Sequence, residues 1–327
     1  MDSCMQKNTV QKPKDQIVFL NDVVTGLSQL QKKLQSKYFY DEKGDRLFQK
    51  IMEMPEYYLT ACELDIFKNK TAGLVNHLAI NQTPFDLIEL GAGDALKSTY
   101  LLKYLTAADI NFTYMPIDIS GNILAVLEQN LKKEIPDLDI KLLKGDYFKM
   151  LEQAMHAPNR KKVLLFLGGN IGNMDVAEAF SFCKELRNKV NKGDLLITGF
   201  DLKKNPHTIL NAYNDPHGIT ASFNLNLLAR INRELGADFD ISKFQHYQTY
   251  DPVSGACKSY LVSLTEQIIH IAGHKFSFME NELIDMEISQ KYELQDIDKL
   301  ASNSGFQIVG QIQDSKNWFV DSVWQAL

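Results

Sequence analysis

The sequence predicts an α/β protein with a doubly wound, mostly parallel sheet that is interrupted by an α+β insertion. From residue 85 onward, short apolar strands alternate with helical segments, which is the pattern of a parallel sheet covered on both faces. The first of these strands, FDLIELG, leads directly into the glycine-containing turn GAGD. Residues 204–290 then break the alternation with a helical stretch followed by strand-like alternation of polar and apolar residues.

Apolar residues recur at helical spacing ahead of the sheet, within residues 21–36 and again after the turn-like segment DEKGD. They are Val23, Leu27, Leu30, Leu34, Leu47, Ile51 and Met54. The N-terminal part of the chain is therefore predicted to be helical.

Strands with turn residues at their ends are predicted through the middle of the chain. They cover 85–91, 112–118, 138–146, 162–169 and 194–201, and the helices between them begin near Ala95, near Asn122 and at Val176. A helical stretch is predicted over 204–240. Residues 245–290 are predicted as strands with a hairpin at HIAGHKFSF, and residues 306–327 as two further strands.

Length and composition limit the classes of protein that fit. The 327 residues, 45% hydrophobic and 23% charged, suffice for one large domain or two joined ones. The net charge of −6 would repel phosphate backbones, so nucleic acid is not an expected partner. No apolar run approaches the roughly 20 residues of a membrane span, and the polar start MDSCMQKNTVQKPKD has no signal-peptide core. We therefore expect a cytoplasmic monomer that acts on a small molecule, without a membrane partner.

Neither the cysteines nor the histidines form a recognisable metal-binding motif. The cysteines lie far apart and form no CxxC pair, which argues against a zinc knuckle and a disulfide framework: Cys4, Cys62, Cys183 and Cys257. His270 and His274 have the spacing of a metal pair on a helix, but no glutamate lies between them and the segment is predicted as a hairpin. We expect no bound metal.

The turn after the first strand is the strongest candidate for a cofactor site. Gly91 and Gly93 follow Glu89 at the end of the strand, and glycines allow a tight turn and a close approach of the backbone to a ligand. A nicotinamide-binding fingerprint would need a third glycine at position 96, where this chain has Leu96. The order acidic-x-Gly-x-Gly instead resembles the first motif of the S-adenosylmethionine-dependent methyltransferases.

Two further features follow this turn in the expected order. Asp118 closes the second strand 27 residues after Gly91 (118 − 91), where a carboxylate can accept hydrogen bonds from both ribose hydroxyls. Gly145, Asp146 and Tyr147 end the third strand, a position that usually contacts the adenine in this class. The alternative is an ordinary βα turn with Asp118 as a helix cap, and the three features together favour the cofactor site.

Longer segments resemble the histidine-specific methyltransferase family of ergothioneine biosynthesis, which makes the trimethylated betaine hercynine. They are YFYDEKGDRLFQKIMEMPEYYLT, FLGGNIGN, DLKKNPHTILNAYNDPHGITASFNLNLLARINRELGADFD and MEISQKY, and the resemblance runs from about Tyr38 to the C-terminus. It implies a Rossmann-like class I methyltransferase domain (62–203 plus 292–327) with an inserted substrate-binding domain (12–61 plus 204–291). It also implies S-adenosylmethionine as co-substrate.

The resemblance assigns roles to residues at matching positions. Cofactor-binding positions are Tyr40, Glu89, Gly91, Gly93, Lys97, Asp118, Gly145, Asp146 and Tyr147. Substrate-binding positions are Tyr57, Asn173, Tyr213, Phe223, Glu287 and Ser289, with Phe48 as a further apolar wall residue. Tyr40, at the junction of substrate and cofactor, and Asn173 are the implied catalytic groups.

These residue types suit methylation of an amino acid. The amine must present a free lone pair, which Asn173 and Tyr40 can position by hydrogen bonding. Aromatic faces stabilise the growing quaternary ammonium by roughly 0.5 to 2 kcal/mol. Tyr57 and Tyr213 offer hydroxyl donors to the substrate carboxylate. Glu287 and Ser289, two apart on a strand, project from one face and can bind both imidazole nitrogens, which favours histidine over tryptophan or phenylalanine.

Alternatives remain open at this point. Gly169-Asn170 stands where bacterial members usually have small hydroxyl residues, and Ser259 stands where a methionine is expected near the imidazole. The same chemistry on another amino acid or amine, such as a tryptophan derivative, is one alternative function. A non-catalytic S-adenosylmethionine-binding regulator is another. Among the site residues, Asn173 could instead cap the helix that follows it, and Lys97 could be a surface lysine.

Overall fold

The computed structural model describes residues 14–80, 83–155 and 160–327. The polar N-terminal segment with Cys4, and residues 12 and 13 of the predicted substrate-binding domain, lie outside the described residues. The helices are α1 (Lys14–Leu27), α2 (Glu42–Glu53), α3 (Tyr58–Asn69), α4 (Thr71–His77), α5 (Ser98–Ala107), α6 (Gly121–Glu134), α7 (Tyr147–Met155), α8 (Val176–Lys189), α9 (Pro206–Ala212), α10 (Ile219–Leu235) and α11 (Leu294–Asn303).

The strands lie at the predicted positions, but of the third predicted strand, 138–146, only Leu143–Lys144 forms one. They are β1 (Phe85–Leu90), β2 (Phe112–Asp118), β3 (Leu143–Lys144), β4 (Lys161–Phe166), β5 (Leu195–Asp201), β6 (Phe244–Tyr250), β7 (Ala256–Ser263), β8 (Gln267–Ile271), β9 (His274–Phe278), β10 (Leu283–Gln290), β11 (Phe306–Gln313) and β12 (Phe319–Ala326). The predicted hairpin is confirmed, because β8 and β9 pair antiparallel.

Seven strands form the central sheet in the order β11-β12-β5-β4-β1-β2-β3. Strands β1 to β5 pair in parallel, whereas β12 runs antiparallel to β5 and β11 antiparallel to β12. The predicted doubly wound, mostly parallel sheet is therefore confirmed. The order of the strands reverses at β1: β2 and β3 follow on one side of it, and β4 and β5 on the other. Ligands of open α/β sheets bind at such a reversal, outside the carboxyl ends of the strands.

Helices cover both faces of this sheet. Ile88 and Leu90 of β1 belong to a core shared with α7, α8 and α11. Phe85 and Leu87 belong to the opposite core, shared with α3, α4, α5 and α6. Helices α7 and α11 were not predicted, because these segments of 9 and 10 residues bury only two or three apolar side chains each.

The helix predicted over residues 21–36 ends at Leu27, so that prediction is wrong for its second half. The chain folds back there: the amides of Gln29 and Lys33 donate to the Gly26 carbonyl at 3.4 and 3.1 Å. A Cβ at Gly26 would lie 2.1 Å from the Lys33 carbonyl oxygen, so only glycine allows this return. Leu30 is consequently fully exposed instead of buried on a helix face.

The segment DEKGD is also not a turn, because it forms the start of α2. Asp41 has an extended backbone and its carboxylate accepts a hydrogen bond from the Gly44 amide at 2.7 Å, which makes Asp41 the N-cap. Before α10, whose N-cap is Gly218, the Asp215 carboxylate accepts from the amides of Ile219 and Thr220, both at 2.8 Å. This turn divides the helical stretch predicted over 204–240 into α9 and α10.

The chain divides into two compact units. The insert unit comprises the chain up to Met54, Tyr213–Thr249 and Lys258–Glu287. The sheet unit comprises Pro55–Ala212, Tyr250–Cys257 and Ile288–Leu327. A three-stranded sheet in the order β10-β7-β6 accompanies the helices of the insertion. The division of labour predicted from the sequence, with a cofactor-binding domain and a substrate-binding domain, stays a prediction.

Candidate active site

The turn between β1 and α5 has the conformation that its glycines allow. Gly91 and Gly93 have φ of +71° and +54°, in the left-handed region. The amides of Gly91 and Ala92 donate to the Ile117 carbonyl of β2 at 2.8 and 3.3 Å. A Cβ at Gly91 would lie 2.5 Å from the hydroxyl oxygen of Tyr147, so any side chain there would displace that tyrosine.

Asp118 lies beside this turn at the end of β2 and is half-buried. Its Oδ2 accepts from the Gly93 amide at 3.3 Å and its Oδ1 from the Ser120 amide at 2.9 Å. The N-cap of α6 is Ser120, so Asp118 is not the helix cap of the alternative interpretation. Ile119, the next residue, is 79% exposed. A carboxylate for ribose hydroxyls and an exposed apolar side chain for a base thus lie together, which fits a nucleoside ligand.

The residues after β3 join the same group. The Gly145 amide donates to the Asp118 carbonyl at 3.0 Å. Burial, followed by the nearby carboxylates of Asp118 and Asp146, raises the pKa of Tyr147 to about 12, so its phenol stays neutral and can donate. Asp146 itself is exposed and accepts from the Lys149 amide at 3.3 Å.

Glu89 is buried at the end of β1 and is 4% exposed. Its carboxylate accepts a hydrogen bond from the Tyr114 hydroxyl. Burial raises the pKa of Glu89 to about 7, although hydrogen bonds from Tyr114 and Ser98 act in the opposite direction. Since Tyr114 belongs to β2 and Ser98 begins α5, Glu89 connects the end of β1 to the neighbouring strand and to the helix that follows the glycine turn.

Lys97 precedes α5 and forms an ion pair with Glu63 of α3. Burial lowers the pKa of Lys97, but the Glu63 carboxylate outweighs burial and the net shift is upward. Lys97 is therefore a partly buried, charged lysine and not a plain surface residue, with 21% of its side chain exposed. Its predicted role at the carboxylate of a bound cofactor stays a prediction.

Asn173 ends a short 3-10 helix (Asn170–Asn173) that follows β4. The helix is entered through Gly168 and Gly169, with φ of +81° and +66°. Asp175 caps α8, since it accepts from the amides of Ala177 and Glu178 at 2.9 and 2.8 Å. The alternative interpretation of Asn173 as that cap is therefore wrong. The Asn173 side chain is exposed, and its predicted role at the amine stays a prediction.

A buried ionic cluster surrounds Asp201 at the end of β5. Lys291 is fully buried and donates to Asp201 Oδ2 and to Ser289 Oγ, both at 2.8 Å. Lys204 also binds Asp201. The Tyr58 hydroxyl donates to Asp201 Oδ2 at 2.8 Å. Ser289 is thus held by a lysine that the sequence had not singled out. Tyr57, the neighbour of Tyr58, immediately precedes α3 and is half-buried.

Three aromatic rings form one cluster in the insert unit. Tyr40 lies edge-on to Phe48 and Phe223, with ring centroids 5.5 and 5.7 Å apart, and Phe48 and Phe223 are 5.8 Å apart. Phe223 is 3% exposed, whereas Tyr40 is 46% exposed. The family resemblance predicted these three residues separately, and Phe223 is far from the other two in sequence. The fold brings the three rings together.

Asp41 fixes the backbone next to Tyr40. Besides capping α2, its carboxylate accepts from Asn226 Nδ2 at 2.8 Å and from Arg233 Nη2 at 2.6 Å, both on α10. Burial is the largest single influence and raises the pKa of Asp41. The hydrogen bonds from Gly44, Arg233 and Asn226 outweigh it together, so the pKa lies below its usual value. Tyr40 is therefore anchored to both helices that carry the other rings, since Phe48 is on α2 and Phe223 on α10.

Glu287 lies on β10 and receives a long hydrogen bond, 3.4 Å, from Nδ2 of Asn224 on α10. Asn224 is fully buried and also donates to the Thr220 carbonyl at 3.1 Å. Tyr213 and Ser259, also in the insert unit, are 7% and 2% exposed. Asn224 was missed because a lone asparagine inside an amphipathic helix gives no local signal, although it stands in a segment that carries the family resemblance.

Within residues 14–80, 83–155 and 160–327, no group of three or more histidine, cysteine, aspartate or glutamate side chains is arranged to hold a metal. Among the same residues, no helix has the length and apolar character required to cross a membrane. The predicted cytoplasmic location and monomeric state stay predictions.

A doubly wound sheet with a glycine turn after β1 and a carboxylate at the end of β2 defines an enzyme of the S-adenosylmethionine-dependent methyltransferase class. A family model described as histidine-specific methyltransferase, SAM-dependent, matches residues 19–326. The chain belongs to this family, so the predictions of family, enzyme class and co-substrate are confirmed.

The chain is similar to several named methyltransferases and ergothioneine proteins. The chain is 32% identical over 278 residues to the histidine N-alpha-methyltransferase of Mycolicibacterium smegmatis, covering 84% of this chain and 85% of that protein. It is 30% identical to ergothioneine biosynthesis protein 1 of Schizosaccharomyces pombe, covering 86% of this chain but 37% of that longer protein. The L-tryptophan methyltransferase of Psilocybe serbica is 25% identical, covering 86% of this chain and 85% of that protein.

Proposed function

We propose that this protein transfers methyl groups from S-adenosylmethionine to the α-amine of L-histidine and gives trimethylhistidine (hercynine). The aromatic cluster of Tyr40, Phe48 and Phe223 is the observation that carries the proposal beyond the enzyme class. A cage of aromatic rings attracts a cation that gains methyl groups, and it makes no hydrogen-bond demand that a quaternary ammonium would fail to meet.

The sheet unit holds the methyl donor in this proposal. Asp118 binds the ribose hydroxyls, Ile119 packs on the base, and the turn through Gly91 and Gly93 lets the backbone approach the ligand. A Cβ at Gly93 would have no atom within 4 Å, so the backbone there borders open space. When bound, S-adenosylmethionine supplies an electrophilic methyl group. The adenine contacts the residues after β3, which are Gly145, Asp146 and Tyr147. Glu89 acts indirectly, because it supports the glycine turn that approaches the cofactor.

Asn173, Tyr40, Tyr57 and Tyr213 orient the amino acid. An α-amine is largely protonated at neutral pH, so the residues around it must select the deprotonated form. The Asn173 amide oxygen and the Tyr40 hydroxyl accept hydrogen bonds from the remaining N–H groups and keep the lone pair directed at the methyl donor. The hydroxyls of Tyr57 and Tyr213 donate to the substrate carboxylate. Because solvent can take each proton before the next transfer, no dedicated base is required.

Glu287 and Ser289 recognise the imidazole ring. Both lie on β10. The carboxylate accepts from a ring N–H, and its orientation is supported by Asn224. Ser289 Oγ already accepts from Lys291. A serine hydroxyl is both a donor and an acceptor, and in this proposal it serves the ring nitrogen that carries no proton. The pair therefore suits a ring that presents one N–H and one bare nitrogen, which describes neutral imidazole.

Methylation of another amino acid, such as tryptophan, is the second candidate. Ser259, buried and small, leaves more room than the methionine of the family pattern. The relationship to an L-tryptophan methyltransferase is in line with this candidate. Mass spectrometry after incubation with S-adenosylmethionine and each of the common amino acids separates the two, since only the preferred substrate gains three methyl groups. Cofactor binding without any methylated product would instead identify a regulator.

The substitution Glu287→Ala tests the choice of side chain. It leaves a ring donor unpaired, which costs about 1 to 3 kcal/mol, or roughly 5- to 150-fold in kcat/KM for histidine. Tryptophan does not use this hydrogen bond, so its kcat/KM should change little. Glu280→Ala, an exposed charge in the turn before β10, is the matched control. If the ratio of kcat/KM for histidine to that for tryptophan is the same in both variants and the unmodified protein, Glu287 does not select the substrate.

A further inference from the structure

Glu63 is a buried carboxylate to which neither the family resemblance nor the proposed chemistry assigns a role. It lies on α3 and is 1% exposed. Both of its oxygens accept from the amide of Gly168, at 2.8 and 2.9 Å, and Oε2 also binds the Lys97 ammonium. One side chain thus contacts the loop that follows β1 and the loop that follows β4.

The sheet makes room for this carboxylate. Gly199 is a glycine in the middle of β5, and a Cβ there would lie 2.4 Å from Glu63 Oε1. Glycine inside a strand marks a place where another group approaches the backbone closely. Asp321, fully buried on β12 and opposite Gly199 in the strand register, also faces Glu63.

The Asp321 carboxyl does not compete with these contacts. Burial, and then the charge of Glu63, raises the pKa of Asp321 well above its usual range. Asp321 is therefore protonated near neutral pH and adds no second negative charge beside Glu63.

The two loops that Glu63 joins carry both halves of the proposed reaction. Lys97 closes the glycine turn on the methyl-donor side. Gly168 and Gly169, both in the left-handed region, lead into the 3-10 helix that ends at Asn173, which positions the amine. Left-handed glycines have few contacts of their own to fix them, so the carboxylate that accepts the Gly168 amide sets where this helix begins.

We infer that Glu63 is a positioning residue for methyl transfer: it fixes the Asn173 loop against the glycine turn, so that amine and methyl donor are aligned. This inference rests on the proposed function. Alignment of two reactants contributes several kcal/mol to catalysis, and a misplacement of about 1 Å costs on the order of 100-fold in rate.

The variant Glu63→Gln tests this role. Glutamine is neutral and has one acceptor oxygen, so Lys97 loses its counter-charge and an NH2 group replaces one of the two oxygens that accept from the Gly168 amide. We expect kcat at saturating histidine and S-adenosylmethionine to fall on the order of 100-fold. The KM for histidine and the Kd for S-adenosylhomocysteine should change much less than kcat, a separation that a general loss of folded structure would not produce.

Gly199→Ala is the second route to the same displacement, because its methyl group pushes the Glu63 carboxylate without changing any charge. Lys162→Met, which breaks another buried lysine–carboxylate pair of the sheet unit, at the amino end of β1, is the control and should leave kcat unchanged. Unchanged kcat in both Glu63→Gln and Gly199→Ala overturns the inference, as does an equal loss in Lys162→Met. Absence of amino-acid methylation by the unmodified protein overturns the proposed function itself.

Discussion

Strand β1 carries a buried carboxylate near each end, and the two have different partners. Asp86, its second residue, binds the Lys162 ammonium at 2.5 Å and lies 3.1 Å from Arg160 Nε. Glu89, near the other end, is held by the hydroxyls of Tyr114 and Ser98. The amino end of the strand is thus closed by cations, whereas the carboxyl end keeps an acid that is bound by neutral groups.

The ion pairs at the two ends also differ in what they join. Asp86 and Lys162 are direct neighbours in the register of β1 and β4, and each side chain is 1% exposed. Glu63 and Lys97 join a helix to a turn and so hold loops. The same type of interaction therefore serves cohesion at one edge of the sheet and, in our proposals, alignment of reactants at the other. Position relative to the carboxyl ends of the strands distinguishes the two roles.

The largest expected effect is on stability and belongs to the amino end. Lys162→Met leaves the Asp86 carboxylate buried with only Arg160 nearby, and breaking a buried pair in this way costs about 3 kcal/mol in the free energy of unfolding. Denaturant titration measures this loss. The affinity for S-adenosylhomocysteine and kcat should not change, because neither residue lies at the carboxyl edge.

Replacing both partners, as Asp86→Leu with Lys162→Met, should restore most of the lost stability, since no charge is then left unpaired. If Lys162→Met instead lowered kcat and left the free energy of unfolding unchanged, the distinction between the two ends would be wrong.

The next effect is on cofactor affinity and belongs to the carboxyl end. Asp118→Ala removes a charge-assisted pair of hydrogen bonds to the ribose, which costs about 1.5 to 3 kcal/mol, or roughly ten- to a hundred-fold in Kd. Calorimetry with S-adenosylhomocysteine measures it. Asp137→Ala, an exposed carboxylate after α6, has the same change of charge and should bind normally. Equal weakening in both variants would mean that net charge, and not contact, governs binding.

The carboxyl end was largely predictable from the sequence because its signals are local. Gly91, Gly93 and Asp118 stand at fixed offsets from predicted strands, and parallel strands bring their carboxyl ends to one edge. The rings of Tyr40, Phe48 and Phe223 came from the family resemblance, since nothing local ties residue 223 to residue 40. The fold supplies that tie through Asp41 and α10.

The residues that support the site were not predictable in the same way. Glu63 is an acidic residue in a helix whose amphipathic pattern gives no reason to bury a charge, and its partners lie 34 and 105 residues away. Lys291 similarly follows a strand and acquires its role only when β5 brings Asp201 to it. The turn after Leu27 was missed for the opposite reason. The apolar residues keep their helical spacing beyond Leu27, whereas the helix ends there.

The smallest expected effect, taken per pH unit, is a pH dependence that arises from Glu89, the second acid of β1. The pKa of Glu89 is raised from an ordinary 4.5 to about 7 in the folded protein by burial. Between these values the folded state keeps a proton that the unfolded state has lost, so the contribution of Glu89 to stability falls as pH rises through this window. The fall is at most about 1.4 kcal/mol per pH unit, and it stops above about pH 7, where both states are ionised.

Glu89→Gln cannot ionise and can still accept from the Tyr114 hydroxyl, so it should lack this slope. The free energy of unfolding of Glu89→Gln relative to the unmodified protein should therefore rise from pH 5 to pH 7, by about 1 kcal/mol per pH unit or slightly more, and then stay level. Denaturant titrations at several pH values measure the difference. Glu152→Gln, on an exposed position of α7, should show no such trend. A flat difference for Glu89→Gln would mean that Glu89 stays ionised in the folded protein at pH 5, and that a cation stabilises it as Lys162 stabilises Asp86. The contrast between the two ends of β1 would then lie in their geometry alone and not in the charge of their acids.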